Sequence, residues 1–260
     1  MAVNWCYESE PDAGSGGRRI PVPRGKMLGG SSGINYMAYV RGHPGDFDAW
    51  ADGGATGWSY DNVLPYFKKT EGLVPSPAIP LDEAAHNTQG PLGVSVRAPI
   101  IPGAAEFVDA AEAAGLPRGD YNGRERGGAD GVVSLFQTTT RDGKRSSTYH
   151  AFIADTAEAR ENLTIITDAH VRQIQIGVSD TGPRAIGIIY AAADDETHTL
   201  TAAREVIVGE LLDHRFAKRA FVVEHIVRDA EAIGHGARIG NVVARAAGAV
   251  LVRARAARLP

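Results

Sequence analysis

The spacing of hydrophobic and polar positions predicts helices in four parts of the chain, where apolar or alanine residues recur every three or four positions. The first helix should begin near Asp46, and the second at Ser59, whose hydroxyl would cap it, with Pro65 bending its middle. A third helix is expected between residues 103 and 115, where glycine and proline end it. Residues 146–159 should form the fourth.

Alternating and β-branched stretches predict strands between and after these helices. The predicted strands cover residues 1–9, 92–97, 134–139, 163–168, 171–178, 185–190, 197–202 and 205–208. The last of them is apolar enough to be a central strand of a parallel sheet. Residues 34–40 are apolar and aromatic, which predicts a buried short helix or strand, whereas the remainder of 72–102 is rich in proline and predicts a loop.

Composition indicates a soluble globular protein of one or two domains. The 260 residues are 43% apolar and 22% charged with a net charge of −4, so the chain as a whole lacks the basic surface of a nucleic-acid-binding protein. Cys6 is the single cysteine, which excludes an internal disulfide and fits a reducing compartment. The N-terminus lacks a secretion signal, and no stretch approaches the roughly 18 apolar residues of a membrane helix, so we expect a cytoplasmic protein.

The most specific run of the chain is residues 25–36, Gly-Lys-Met-Leu-Gly-Gly-Ser-Ser-Gly-Ile-Asn-Tyr. Glycine has no Cβ, so the pair Gly29–Gly30 lets main chain approach a ligand closely. The serine hydroxyls and the Asn35 amide add hydrogen-bonding groups, and Arg24 and Lys26 add positive charge. A flat or phosphorylated cofactor would suit such a run, although the glycine pair alone favours a simple tight turn.

This run and the segments after it resemble the glucose–methanol–choline (GMC) oxidoreductase family, the flavoproteins that oxidise alcohols, and its choline-dehydrogenase-like members in particular. The resemblance covers about residues 4–209. The segments that show it, in family order and spacing, are 18–25, 38–50, 57–71, 90–92, 120–123, 143–148, 162–167 and 204–208. It implies FAD as the cofactor and a small-molecule alcohol as the substrate.

The resemblance also implies which residues would contact FAD. They are Met27, Gly29, Gly30 and Ser31 in the loop along the flavin, Asn35, Tyr36, Met37 and Ala38 beside the isoalloxazine ring, and Val171, whose backbone would meet the adenine. Members with covalently bound flavin have a histidine where this chain has Ile34. Any FAD should therefore be bound noncovalently.

Two parts of the family's chemistry have no counterpart here. The family holds the FAD pyrophosphate on a Gly-x-Gly-x-x-Gly turn near its N-terminus, and a histidine near its C-terminus takes the hydroxyl proton. This sequence contains neither, so we expect a central fragment without a catalytic residue, inactive alone and at best a weak binder of FAD. A structural role is expected for His43, and no partner motif points to a role for His86, His150, His170 or His198.

The implied fold is α/β, an incomplete FAD-binding domain with part of a substrate-binding α+β domain. Residues 1–75 would belong to the FAD-binding domain without its first βαβ unit, 76–160 to the substrate domain, and 161–209 to the FAD-binding domain again. Parallel strands lacking that unit would have exposed edges. We therefore expect marginal stability, self-association or a partner chain. A non-catalytic remnant, or a subunit that needs such a partner, is the alternative to an enzyme.

The resemblance ends near residue 210, where composition also changes. Residues 211–260 hold nine Lys and Arg against four Asp and Glu, together with twelve Ala. Our leading hypothesis is a shifted reading frame in a GC-rich gene. The alternatives are a helical interaction tail, suggested by Val222, Val223, Ile226 and Val227 at helical spacing, and a patch for nucleic acid or an anionic membrane.

Two further kinds of site are not favoured by the residues. The histidines of the tail, His214, His225 and His235, are too widely spaced for a zinc motif, so no metal is predicted. A carbohydrate-binding module would rest on aromatic content alone, and those aromatic residues lie in or beside predicted helices, where packing is the better interpretation. They are Trp50, Trp58, Tyr60 and Tyr66.

Overall fold

The computed structural model describes residues 3–125, 131–155, 160–179, 182–208, 223–224 and 250–252. The chain divides into two compact units, of which the first combines residues 1–34 with 148–260 and the second is residues 35–147. The predicted domain division, which refers to the family's domains, stays a prediction. Within the described ranges, no helix is long and apolar enough to cross a membrane.

Helices and strands are both short, as expected for a mixed fold. The α-helices are α1 (Pro44–Asp52), α2 (Tyr60–Thr70), α3 (Ala104–Ala113) and α4 (Thr148–Phe152). The strands are β1 (Tyr7–Glu8), β2 (Pro21–Val22), β3 (Glu71–Val74), β4 (Leu92–Val96), β5 (Gln137–Thr138), β6 (Thr140–Arg141), β7 (Lys144–Arg145), β8 (Thr164–Ile166), β9 (His170–Ser179), β10 (Gly182–Ala191), β11 (Thr197–Thr201), β12 (Ile207–Val208), β13 (Val223–Glu224) and β14 (Val250–Val252). Single 3-10 turns cover Ala13–Ser15, Gly30–Gly33 and Glu83–Ala85.

An antiparallel meander of β9, β10 and β11 forms the main sheet of the first unit. Its three strands were predicted from β-branched alternation, and that prediction is confirmed. Val171, Ile188 and Tyr190 form a buried cluster at one end of the sheet. At the other end the pair Val178 and Pro183 is exposed. The core therefore covers part of this sheet and leaves its hairpin tip in solvent.

The predicted parallel central strand at 205–208 is wrong, because β12 pairs antiparallel with β13. β13 in turn pairs parallel with β14, which pairs antiparallel with β8. Val223 lies in β13, so the helical interpretation of the tail is wrong at that residue. Val222, Ile226 and Val227 lie outside the described residues, as does most of the tail.

The second unit contains a three-stranded sheet and a pair of helices. β3 runs parallel to β4, and β4 runs antiparallel to β5. The helices α1 and α2 pack through a buried cluster of Phe47, Tyr60, Val63 and Leu64. β3 lies where the sequence predicts the start of a loop, and that prediction is wrong at 72–74. Its register depends on β4, which lies about 20 residues away, so local pattern did not reveal it.

Residues 34–40 form neither the buried helix nor the buried strand that their apolar character predicts. Tyr36 is 98% exposed, and Met37 has a φ of +62°, which breaks an extended path. The Asn35 side chain accepts a hydrogen bond from the Met37 N–H at 3.0 Å, so a local turn replaces regular structure. Other elements are shorter than predicted, namely β1, β5 and the described part of the fourth helix.

The starts of α1 and α2 show how side chains replace missing backbone partners. His43 Nδ1 accepts from the Gly45 N–H at 3.0 Å, and the Asp46 carboxylate accepts from the His43 N–H at 3.2 Å. The expected structural role of His43 is thus a helix cap. Ser59 holds the N-cap position of α2, but its side chain makes no capping hydrogen bond. Asp48 on α1 accepts from the Tyr60 N–H at 2.9 Å instead.

Replacing Asp48 by alanine should destabilise the protein more than the same change at Ser59. Asp48→Ala removes the acceptor for the first amide of α2 and a link between the two helices, which costs about 1 kcal/mol. Ser59→Ala is the matched control, because its hydroxyl caps no backbone amide. Urea unfolding of both variants measures the difference, and equal losses would contradict this assignment of the cap.

Candidate functional site

The glycine-rich run predicted to lie along the flavin forms one tight turn of the first unit. Gly29 and Gly30 have φ angles of +88° and +51°, which glycine adopts without strain. The Gly30 N–H donates to the Met27 carbonyl at 2.9 Å, and the Gly25 N–H donates to Ser31 Oγ at 3.3 Å. A Cβ on Gly25 would lie closer than 3.0 Å to the Gly30 carbonyl. The turn therefore depends on close contact of main chain with main chain.

Two hydroxyl residues outside the predicted set hold this turn in place. The Thr148 N–H donates to Ser32 Oγ at 3.0 Å, and Thr148 Oγ1 donates to the Gly29 carbonyl at 3.2 Å. Ser32 Oγ also donates to the Gly29 carbonyl. Thr148 begins α4, 116 residues from Ser32 in the chain. Segment 143–148, which ends in Ser-Ser-Thr, was the part of the sequence that could have pointed to Thr148. It was named only for its resemblance to the family.

The ring-side residues predicted at 35–38 lie in the second unit, in an irregular segment that contains the Asn35 turn and then pairs with the residues around β5. The Met37 carbonyl accepts from the Thr139 N–H at 2.8 Å, Ala38 bridges to Thr138, and the Tyr39 N–H donates to the Gln137 carbonyl at 2.9 Å. Asn35 Oδ1 accepts from Arg145 Nη1 at 2.8 Å. The segment is thus fixed along its backbone by the residues around β5.

Val171 lies in the main sheet of the first unit. The whole residue is 1% exposed and packs in the sheet core, so neither its side chain nor its backbone is open to a ligand. Among the described residues, no hydrogen bond joins Val171 to residues 27–31. The structure places residues 27–31 and Val171 in the first unit and residues 35–38 in the second. Their contacts with a cofactor stay a prediction.

The chemistry of these groups fits FAD. Asn35 is exposed, and its Nδ2 has no hydrogen-bond partner within the described residues, so it can donate to a polar ring edge. The neighbouring Tyr36 presents an exposed aromatic face. In the first unit the exposed Lys26 lies over the Trp5 ring, 4.6 Å from its centroid, and supplies positive charge beside the glycine turn. Each unit therefore offers groups that suit one part of FAD: a donor and an aromatic face for the ring in the second unit, and positive charge for the diphosphate in the first.

A second polar cluster lies in the second unit and is fully buried. Glu71 on β3 is 0% exposed, and Arg41 Nη2 lies 2.6 Å from its carboxylate. The Glu71 carboxylate also accepts from the Asn87 N–H at 2.9 Å. Burial of a charge is costly unless it is paired and hydrogen-bonded, and both conditions are met here.

His86 extends this network from Glu71 to Asp120. Its Nδ1 lies 3.0 Å from the Glu71 carboxylate, and its Nε2 lies 2.9 Å from Asp120 Oδ2. The expectation that His86 lacks a partner is therefore wrong. Its partners lie 15 and 34 residues away, a separation that no local motif displays.

Asn122 connects the network to the ring-side segment. Its Oδ1 accepts from the Arg41 N–H at 3.0 Å, and its Nδ2 donates to the Tyr39 carbonyl at 2.8 Å and to Gln137 Oε1. Asp120 Oδ1 in turn accepts from the Asn122 N–H at 2.9 Å. The buried face of the segment before α1 is thus held by charged and amide side chains.

The network keeps its members charged. Burial opposes charge at each site, but the hydrogen bonds to Asp120 and Glu71 raise the pKa of His86 above its ordinary value of 6.5. Despite burial, His86 and Arg41 lower the pKa of Glu71, and His86 with two backbone N–H groups lowers the pKa of Asp120. Burial raises the pKa of Tyr39, beside Arg41, to about 12.

These directions set the pH range of the network. His86 contributes stability below its unfolded pKa near 6.5 and loses it as pH rises through its higher folded pKa. Glu71 and Asp120 contribute above their unfolded pKa values of 4.5 and 3.8 and lose it as pH falls through the lower folded values. The contribution is therefore greatest between about pH 4.5 and 6.5.

One group of exposed side chains could hold a metal ion by spacing alone. Asp194, Glu196 and His198 place ligand atoms within 4.8 Å of one another in the described part of the chain. Asp194 Oδ1 already accepts from the Glu196 N–H at 3.0 Å, as in an ordinary turn. The prediction that the protein uses no metal stays a prediction.

Solved structures with a similar fold include a pyridoxine 4-oxidase and an FAD-dependent oxidoreductase. Pyridoxine 4-oxidase from Mesorbium loti matches with a TM-score of 0.67 and 30% identity, over 79% of this chain and 38% of that one. An FAD-dependent oxidoreductase from Chaetomium thermophilum matches with a TM-score of 0.67 and 28% identity, over 78% of this chain and 35% of that one. The predicted class, an incomplete FAD-binding fold of mixed helices and sheets, is confirmed.

The sequence matches are more specific. The family described as GMC oxidoreductase matches residues 8–210, and the chain belongs to that family. The oxygen-dependent choline dehydrogenase of Pseudomonas putida is 40% identical over 210 residues, which are 79% of this chain and 35% of that protein. The chain thus spans about a third of this relative's length. The predicted choline-dehydrogenase-like resemblance is confirmed, and FAD is the cofactor that the family and the solved neighbours indicate.

Replacing Glu71 by glutamine should unfold the second unit at a lower denaturant concentration. The change leaves Arg41 and His86 buried without their shared counter-charge, a loss of about 3–5 kcal/mol. Guanidinium unfolding at pH 6 measures it. The exposed pair Arg19–Glu10, at 3.3 Å, is the matched control, since Glu10→Gln should change stability little. Equal effects of the two changes would contradict a role of the network in stability.

Proposed function

We propose that this chain supplies the middle part of the FAD site of an alcohol-oxidising flavoprotein. The observation that favours this most is the glycine turn, whose Gly29 carbonyl is held by Ser32 and Thr148 next to exposed positive charge. The exposed Asn35 and Tyr36 of the second unit supply groups suited to the flavin ring.

Each residue has a definite task in this proposal. Main chain at 29–31 approaches the cofactor, Lys26 faces its negative charge, and Asn35 Nδ2 donates to the polar edge of the ring. Tyr36 covers part of the ring, and Ile34 offers no atom for a covalent bond, so FAD is held noncovalently. FAD, when bound, supplies the acceptor for a hydride from the alcohol carbon.

The substrate in this proposal is a small-molecule alcohol, and choline is the first to test, because the relatives that match are choline dehydrogenases. The 260 residues contain no Gly-x-Gly-x-x-Gly turn and no histidine at the position that the family's base would occupy. We therefore propose that these residues alone do not oxidise alcohols and that a partner chain would have to supply those groups. Cytoplasmic location stays a prediction.

A non-catalytic remnant is the second candidate, and one observation favours it. The family match ends at residue 210, where both motif and composition change. A shifted reading frame would produce that coincidence. Turnover of choline by the purified chain with added FAD would contradict both the remnant and our proposal of inactivity.

FAD binding by the purified chain should depend on Gly25 more than on Gly14. A Cβ on Gly25 meets the Gly30 backbone, so Gly25→Ala must displace the turn, whereas a Cβ on the exposed Gly14 meets only the Asp12 side chain, outside the predicted cofactor residues. We expect weak binding by the native chain and at least a tenfold loss for Gly25→Ala, about 1.4 kcal/mol. Flavin fluorescence titration measures it.

Gly14→Ala should retain most of the affinity if both variants show native circular dichroism. Equal affinity of native chain and Gly25→Ala, or no binding by the native chain at any FAD concentration, would contradict the proposed cofactor turn.

A further inference from the structure

We propose that His86 is a positioning residue for residues 39–41, which directly follow the ring-side residues 35–38, and that its protonated ring holds this segment through Asp120 and Asn122. Loss of the ring proton at alkaline pH would release the segment. The geometry and the exchange test below are independent of any cofactor. The functional meaning, control of how Asn35 and Tyr36 meet a flavin, rests on the proposed function.

The first step is the protonation state that the contacts require. Both ring nitrogens of His86 face carboxylate oxygens, Nδ1 at 3.0 Å from Glu71 and Nε2 at 2.9 Å from Asp120. Arg41 Nη2 also lies 3.5 Å from Nδ1, but the shorter contact of Nδ1 is with the Glu71 carboxylate. An ionised carboxylate has no proton to donate, so both ring nitrogens must donate, and such a ring is an imidazolium. A neutral ring has only one N–H. Its other nitrogen would then face a carboxylate oxygen with a lone pair, and two acceptors repel each other.

The second step is the connection from His86 to the segment. Asp120 Oδ2 accepts a hydrogen bond from His86 Nε2, and Asp120 Oδ1 accepts one from the Asn122 N–H at 2.9 Å. Asn122, which is 0% exposed, in turn holds the Arg41 N–H and the Tyr39 carbonyl. Two hydrogen-bonded residues, Asp120 and Asn122, therefore connect the ring proton of His86 to the backbone at 39–41.

The third step is the set of charges around His86. Arg41, Glu71 and Asp120 are the charged groups in contact with it, and Arg41 also donates to the Tyr39 hydroxyl at 3.2 Å. Glu71 keeps Arg41 and the Asn87 N–H when the ring becomes neutral. Asp120 keeps backbone partners, the N–H groups of 82 and 122. Its carboxylate is therefore the one that loses its cationic partner.

Solvent reaches the same group from outside. An open cavity of about 410 Å³ is lined by Asp120, together with Pro80, Leu81, Asp82, Arg124 and Glu125. Arg124 is the cation in this lining, and its guanidinium pairs with Asp61 at 2.7 Å. An unpaired Asp120 can turn toward water in this cavity, and Asn122 would move with it.

Hydrogen exchange of the backbone at 39–41, measured on the full chain between pH 6 and pH 9.5, tests the proposal. The Tyr39 and Arg41 N–H groups are both hydrogen-bonded, so they should be protected at pH 6. After correction for intrinsic exchange, protection should fall by about tenfold as His86 deprotonates, since a buried partner is left unsatisfied. Strand β10 of the first unit, read in the same spectra, should show no such change.

Two variants identify His86 as the group responsible. His86→Gln is neutral at all pH values, so protection of 39–41 should be low at pH 6 and should not titrate. Asp120→Asn removes one of the charges that favour the imidazolium and should move the titration to lower pH. The exposed His198, changed to Gln, is the matched control and should titrate as the native chain does.

The outcomes separate this inference from the proposed function. Protection at 39–41 that stays constant to pH 9.5, or that titrates identically in native chain and Asp120→Asn, would overturn the positioning role. If His86→Gln fails to fold, the test is whether Asp120→Asn moves the pH at which protection of 39–41 is lost. FAD titrations at pH 6 and 9 form the second arm. A shift in exchange with no shift in FAD affinity would uphold the positioning role and count against the flavin assignment of 35–38.

Discussion

The buried carboxylate of Glu71 is the point on which the second unit depends. A strand residue without solvent exposure must find positive charge inside the protein, and Arg41 and His86 supply it from two different segments. His86 then brings Asp120 into the same cluster, and Asn122 follows it in the chain. One charge thus helps to fix where three other segments lie, those of Arg41, His86 and Asp120, and the first of these is the stretch before α1.

The glycine turn of the first unit depends on a different constraint, namely that its glycines carry no Cβ atom. The turn brings Gly25 against the Gly30 carbonyl, and the hydroxyls of Ser32 and Thr148 satisfy the Gly29 carbonyl from the other side. Such a turn has little freedom to adapt. A rigid main-chain surface is what a bound cofactor requires, because each fixed donor then costs less entropy on binding.

The sequence predicted those parts of the structure that depend on neighbours in the chain. The β-branched alternation of 171–202 predicted the meander, and the glycine-rich run predicted a close-approach turn. The predictions that failed concern features that depend on partners far away in the chain. β3 pairs with β4, β12 pairs with β13 in the tail, and His86 bonds to Glu71 and Asp120. Residues 34–40 failed for another reason, since the Asn35 side chain turned an apolar stretch out into solvent.

Family membership was predictable because many short segments match in order, although each alone is weak. Membership does not by itself assign the contacts of this chain to FAD. Hydrogen exchange along the whole chain, with and without saturating FAD, tests that assignment most directly. We predict that FAD slows exchange in peptides covering residues 25–38 and leaves the hairpin tip around 176–186 unchanged. Protection confined to other parts of the chain, or absent throughout, would contradict the account.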